Sequence, residues 1–333
     1  MPCHGHGEKP VSRRQALKQF ANGFGVLGLA NLLAQDVVAD SINASAANPL
    51  AVRAPMYAPR AKSVIFLFMA GGPSHVDLFD PKPRLVQEDG KPLPFPMPAL
   101  MRTKTGNLLG SKYKFSKHGQ SGTEVSELLP HIGSCVDDIC VIRSMVADNI
   151  NHNGACLQMN TGEQTLSRPS LGSWLLYGLG SENQNLPGFV VLSPAQPAQG
   201  APLWSSSFLP AAYQGTLVSD LKKPIADLSN ARLSSAQQRR QLDMLKQLNR
   251  MHQASREEDS RLSARIASFE LAFRMQADAP EAFDVSAETA ATKRLYGLDD
   301  KTTEKYGRNC LLARRLVERG VRFVQLYSGS GSK

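Results

Sequence analysis

The run "KSVIFLFM", residues 62–69, constrains the fold more than any other stretch of the chain. From Val64 on it is continuously apolar, rich in β-branched and aromatic side chains, and too short for a buried helix. An antiparallel strand with one wet face would alternate apolar and polar residues, so this run predicts a strand buried on both faces of a parallel sheet. Gly71 and Gly72 follow at once, and glycine permits the sharp turn that such a strand end needs. His75, Asp77 and Asp80 come next, and ligand-binding loops of α/β sheets lie beyond the carboxyl ends of strands.

The remaining segments extend this reading to an α/β layered fold. In "SELLPHIGSCVDDICVIRSM", Ser126 is the expected N-cap of a helix carrying Leu128, Leu129 and Ile132, with Pro130 tolerated in the first turn. "ICVIRSM", residues 139–145, then reads as a strand, completing a βαβ pattern with the first. Helices are expected at 155–160 and 171–179, and a strand at "GFVVLSP", 188–194. "NCLLARRLVERG" is a helix whose Gly320 suits a left-handed C-terminal position, and it leads into the strand "VRFVQLY".

Two stretches interrupt the pattern. Residues 81–122 are rich in Pro, Gly and Lys and read as a surface excursion. From about 224 to 307 the composition turns to Gln, Arg, Glu, Ala and Ser. There Leu245, Leu248, Leu262, Ile266, Phe269 and Phe273 recur at helical spacing around a polar stretch at 252–260. That interruption favours a helical insertion packed on the core over a coiled-coil seam.

The N-terminal residues 1–46 read as a targeting segment, followed by an Ala- and Pro-rich linker at 47–61. Ser12-Arg13-Arg14-Gln15-Ala16-Leu17-Lys18 precedes a weakly apolar run, and Ala44-Ser45-Ala46 offers a cleavage site. The segment resembles signals of the twin-arginine export machinery, although Ala16 stands where that pattern usually has Phe. The resemblance implies a protein exported already folded, to the periplasm or beyond. The apolar run is too short to span a bilayer comfortably, so no transmembrane segment is expected after signal removal. In an oxidising compartment Cys135, Cys140, Cys156 and Cys310 are expected as buried thiols or one disulfide rather than a zinc knuckle, because the C-x4-C pair has no companion pair. The formal charge of +9 is scattered without an aromatic-interleaved basic patch, which argues against nucleic acid.

Two constellations could carry chemistry. His75, Asp77 and Asp80 offer imidazole and carboxylates suited to zinc, manganese or calcium; the alternative is a histidine at a strand end and an aspartate that merely starts a turn before Pro81. Asp148-Asn149-Ile150-Asn151-His152-Asn153-Gly154 crowds a strand-to-helix junction, where free helix amides favour an anion; the alternative is ordinary N-capping. His131 is expected as a packed helical residue, and His118 as solvated.

Those stretches, with "NHNGACLQMNTG" and "RPSLGSW", resemble the exported bacterial family of domain of unknown function 1501. That family is grouped with alkaline phosphatases and sulfatases. The likeness implies a three-layer α/β/α sandwich with a metal site at the sheet's carboxyl edge, hydrolysing anionic phosphate or sulfate esters. Gly71 and Gly72 occupy the place of that superfamily's first metal-binding aspartate, leaving His75 and Asp77 as nearest substitutes and Asp80 as a third ligand. Counting back from Thr161-Gly162 to the nucleophile's position gives His152, flanked by Asn151 and Asn153, while Arg143 and Arg168 would balance the anion's charge. No Ser, Thr or maturable Cys stands there, and relatives continue past the last strand. The expectation is therefore a fold lacking its C-terminal part, either a metal-dependent hydrolase or a binding protein that kept the fold and lost the nucleophile.

Overall fold

A computed structural model describes residues 48–69, 71–96, 106–193, 197, 199–220, 233–254 and 260–328. The twin-arginine segment, its cleavage site and the tail after Ser328 lie outside these residues, as do the side chains of Leu262 and Ile266. The described residues divide into two compact units: those up to Phe66, those of Arg168–Leu192 and those of Trp204–Leu326 form one, and those of Leu67–Ser167, of Ser193–Leu203 and from Tyr327 on form the other. No helix among the described residues is long and apolar enough to cross a membrane.

The first unit holds most of a four-stranded sheet in the order β1-β6-β4-β5, from β1 (Val64–Met69), β4 (Phe189–Leu192), β5 (Thr216–Val218) and β6 (Phe323–Ser328), with the last residues of β1 and β6 counted in the second. β4 runs parallel to both neighbours, with Val190 opposite Thr216 and Phe189 opposite Phe323. Its side chains alternate between two apolar surroundings, as a strand of period two requires. Val190, Leu192, Val324 and Leu326 pack with Leu311, Leu312 and Leu316 of α9 (Glu304–Glu318) and with Met275, Ala279 and Ala282 of α7 (Ser260–Phe283). On the other side Phe189 and Phe323 meet edge to face at 5.1 Å beneath Gly172 of α5 (Leu171–Leu179). Helices thus stand on both faces of a parallel sheet. Each fully buried Leu contributes roughly 1.5–3 kcal/mol.

The expected strands at 188–194 and "VRFVQLY", and the helices at 171–179 and before Gly320 (φ 82°), are all present. β1 is present too, but it is not buried on both faces: it lies at the sheet edge, and Val64, Ile65, Leu67 and Met69 are 38–53% exposed. In the expected insertion, α6 (Ser235–Ala254) is tied to α7 by Arg239, whose guanidinium bonds both oxygens of Glu270 at 2.8 and 2.9 Å. A short helix, α8 (Ala290–Leu295), follows. The apolar positions that reach the core are Met275, Ala279 and Phe283, whereas Leu245, Leu248 and Phe269 stay largely exposed.

The second unit holds α1 (His75–Leu78), α2 (Pro83–Gln87), an antiparallel hairpin of β2 (Phe115–His118) and β3 (Thr123–Ser126), α3 (Pro130–Gly133) and α4 (His152–Thr161). Asp137 fastens the hairpin turn by accepting from the Gln120 and Ser121 amides at 2.8 and 2.9 Å. Tyr327 is buried and donates to Asn160 Oδ1 at 3.0 Å, while Asn160 Nδ2 donates to the Cys156 carbonyl at 2.7 Å. Burial pushes both the Tyr327 hydroxyl and the Cys156 thiol upward.

Several local expectations fail in this unit. Ser126 ends a strand instead of capping a helix, because its backbone is committed to the ladder opposite Phe115, and the helix waits for Pro130. "ICVIRSM" forms no strand: Ile142 and Met145 are 63% and 66% exposed, and β-type residues gain little without a neighbouring strand. The βαβ unit expected there is absent, and the parallel sheet is assembled from other strands. His131 is exposed in the short α3, while His118 is partly buried, packs on Gly133 and bonds Ser116 Oγ at 2.9 Å. All four described cysteines are free thiols, with Cys156 buried, Cys310 partly so, and Cys135 and Cys140 exposed.

Candidate functional site

Beyond β1 the chain turns through Gly71 (φ 92°) and Gly72 (φ 69°), a left-handed pair that other residues adopt only under strain. One helical turn follows. The Asp77 amide bonds the Ser74 carbonyl at 3.2 Å, and the Asp80 amide bonds the His75 carbonyl at 3.0 Å. The curl brings His75, Asp77 and Asp80 into one electrostatic neighbourhood.

Each carboxylate has a distinct partner set. Hydroxyl hydrogen bonds from Ser111 and then Ser74 hold Asp77 below the usual carboxylate range, and nearby His75 adds to the effect. Asp80 is lowered chiefly by Lys82, whose ammonium lies 2.6 Å away, and further by the charges of Arg143 and His75. Both aspartates are therefore anionic at neutral pH. Arg143, 63 positions on in sequence and also in the second unit, is near enough for its charge to act on Asp80.

The asparagine-rich junction is more committed than the sequence suggests. Asn149 Oδ1 accepts from the Asn151 amide at 2.8 Å, and Asn151 Oδ1 accepts from the Asn153 amide at 3.0 Å as the N-cap of α4. Asp148 exchanges two bonds with Gln158, at 2.6 and 3.1 Å. The capping role proposed as the alternative for Asn151 is thus the one its side chain fills. His152 and Asn153 are exposed at the start of the helix, and among the described residues no hydrogen bond or ion pair joins His152 to His75, Asp77, Asp80 or Arg143. Arg168 is exposed and belongs to the first unit.

Imidazole nitrogen and carboxylate oxygen suit zinc or manganese, and carboxylates suit calcium. Among the described residues no three His, Cys, Asp or Glu side chains converge as a ready-made ligand set. Sequence reasoning missed Ser111 and Lys82. Lys82 lay in view two residues from Asp80, whereas Ser111 reaches Asp77 from a segment whose link to it has no local signature.

Residues 61–330 match the family described as "Protein of unknown function (DUF1501)". Comparison with curated proteins and with solved structures finds no match.

Proposed function

The chain belongs to the DUF1501 family, and from its site we propose that it is an exported, metal-dependent hydrolase-like protein acting on sulfate or phosphate esters. In this reading the fold is of the alkaline phosphatase type, a three-layer α/β/α sandwich. The observation that carries it is that the charge of His75 acts on both Asp77 and Asp80, and that of Arg143 on Asp80, at two ionised carboxylates just after a sheet strand.

The residues fit a divalent cation in type: His75 supplies nitrogen, Asp77 and Asp80 supply oxygen, and Lys82 would have to release Asp80. A bound zinc, manganese or calcium ion would supply Lewis acidity toward the ester oxygen. Ser111 and Ser74 hold the Asp77 carboxylate in place. Arg143 neutralises the anionic group, with Arg168 as a second candidate for that role. His152 presents an imidazole with no hydrogen bond or ion pair among the described residues at the N-terminus of α4, where helix amides favour negative charge, with Asn151 and Asn153 beside it. Export by the twin-arginine machinery belongs to the same proposal, and replacing Arg13 and Arg14 with Lys should leave the protein in the cytoplasm of a host that has that machinery.

A second reading, a non-catalytic exported binding protein, is favoured by the Lys82–Asp80 pair and by the asparagine caps, since both spend groups that catalysis would need. Metal content and aryl sulfate and aryl phosphate turnover of the full chain separate the two. The hydrolase reading expects bound metal lost in Asp77→Asn and turnover lost in His152→Ala. Metal-free protein without turnover would establish the binding reading, and turnover untouched by His152→Ala would remove that residue from the mechanism.

A further inference from the structure

Arg143 is one wall of a cleft of about 700 Å³ in the second unit, lined also by Lys117, Thr123, Glu124, Ile142 and Ser144. We propose that this cleft seats the substrate's anionic head, that Lys117 is its second cationic ligand, and that the group preferred is a singly charged sulfate ester. The substrate class rests on the hydrolase reading above; the anion site does not require turnover.

Lys117 and Arg143 both line the cleft, and neither side chain has a hydrogen bond or an ion pair within 4 Å among the described residues. Two like charges lining one cleft repel each other, and an oxyanion between them reverses the sign of that interaction. The hydroxyls of Thr123 and Ser144 add neutral hydrogen-bonding groups. Ile142, 63% exposed, offers apolar surface for the ester's organic part, and the volume lies in the range of small-molecule sites.

The mount for Lys117 is rigid. β2 and β3 pair over four residues, and Asp137 clamps the turn between them, so the ammonium's base is fixed. That register also sets Glu124 directly opposite Lys117. The lining charge of Lys117, Arg143 and Glu124 together is formally a single positive one, which one negative charge neutralises. A phosphate ester carries closer to two at neutral pH, so Glu124 disfavours it.

The test is calorimetric titration of the full chain with 4-nitrophenyl sulfate, a monoanion, and 4-nitrophenyl phosphate, which carries closer to two charges, at neutral pH and fixed ionic strength. Saturable binding of the sulfate ester is expected, weakened about tenfold or more in Lys117→Ala and in Arg143→Ala and restored by Lys117→Arg. Lys301→Ala, an equal charge change on an exposed residue of the first unit, should leave it unaltered. Glu124→Gln should raise affinity for the phosphate ester relative to the sulfate ester. If Lys117→Ala behaves like Lys301→Ala, the second-cation assignment is wrong while Arg143 keeps its role. If nothing binds yet the native protein turns over aryl sulfate, the cleft proposal fails and the hydrolase reading survives. Binding without turnover supports the cleft and overturns the hydrolase reading. Circular dichroism of each variant guards against loss of fold.

Discussion

Gly172 and Gly178 lie in the same helix, α5, and alanine should have opposite effects at the two positions. A Cβ at Gly172 would stand 2.6 Å from Phe323 Cδ1 and 2.7 Å from Phe189 Cε1, whereas at Gly178 nothing lies within 4 Å. Ordinary carbon contact needs about 3.5 Å or more, so the rings would have to retreat by nearly an ångström. Both are fully buried and pack against each other at 81°, which leaves them little room. Overpacking of this kind costs about 1–3 kcal/mol, and the upper end applies to a constrained ring pair. Against it stands a gain of up to about 1 kcal/mol from replacing a helical glycine. The net expectation is destabilisation of about 2 kcal/mol for Gly172→Ala and stabilisation of up to about 1 kcal/mol for Gly178→Ala. With a urea slope of about 2 kcal/mol/M, the first shifts the midpoint down by about 1 M. Both tryptophans, Trp174 and Trp204, lie in the first unit, so fluorescence-monitored urea unfolding reports on it directly. A Gly172→Ala variant as stable as Gly178→Ala would mean that α5 does not bear on the sheet as described.

Ser111→Ala should raise the Asp77 pKa, read from its carboxyl ¹³C shift. Because Asp77 is held below 3.8 in the folded state, its contribution to stability is present above that value and lost as pH falls through the folded pKa. The variant should therefore be less stable than the parent at neutral pH, and the difference should vanish on acidification. Asn151→Ala removes the N-cap of α4 and should cost about 1 kcal/mol, seen as faster amide exchange in its first turn. Arg315→Ala should cost about 3 kcal/mol in denaturant unfolding, since this buried guanidinium bonds Glu288 at 2.6 Å and the Glu281 carbonyl at 2.9 Å; Arg315→Lys should recover only part.

What the sequence disclosed follows from how far each signal reaches along the chain. "GFVVLSP" and "VRFVQLY" carry their own burial in a run of apolar side chains, and both are strands of the central sheet. Gly71, Gly72 and Gly320 mark left-handed turns by residue type alone, and all three have positive φ. "ICVIRSM" has the same composition as a strand but no ladder partner, and composition says nothing about partners. At the site, the closeness of His75, Asp77 and Asp80 follows from their spacing in one turn. That the charge of Arg143 acts on Asp80 while Arg168 falls in the other unit depends on tertiary structure, as does the Ser111 hydroxyl on Asp77. The asparagine cluster misled for a related reason: amides that could greet an anion serve equally well to tie down their own backbone, and here they do.

The strand order β1-β6-β4-β5 has a consequence for biosynthesis. β6, the strand that separates β1 from β4, comes last among the described strands, about 250 residues after β1 leaves the ribosome. Until it arrives, "VIFLFM" has no mate, and its sticky backbone is open to neighbouring nascent chains. A protein wired this way cannot close its sheet piecemeal during translation, so its yield in a cell should depend on chaperone supply and on growth temperature more steeply than its equilibrium stability would suggest.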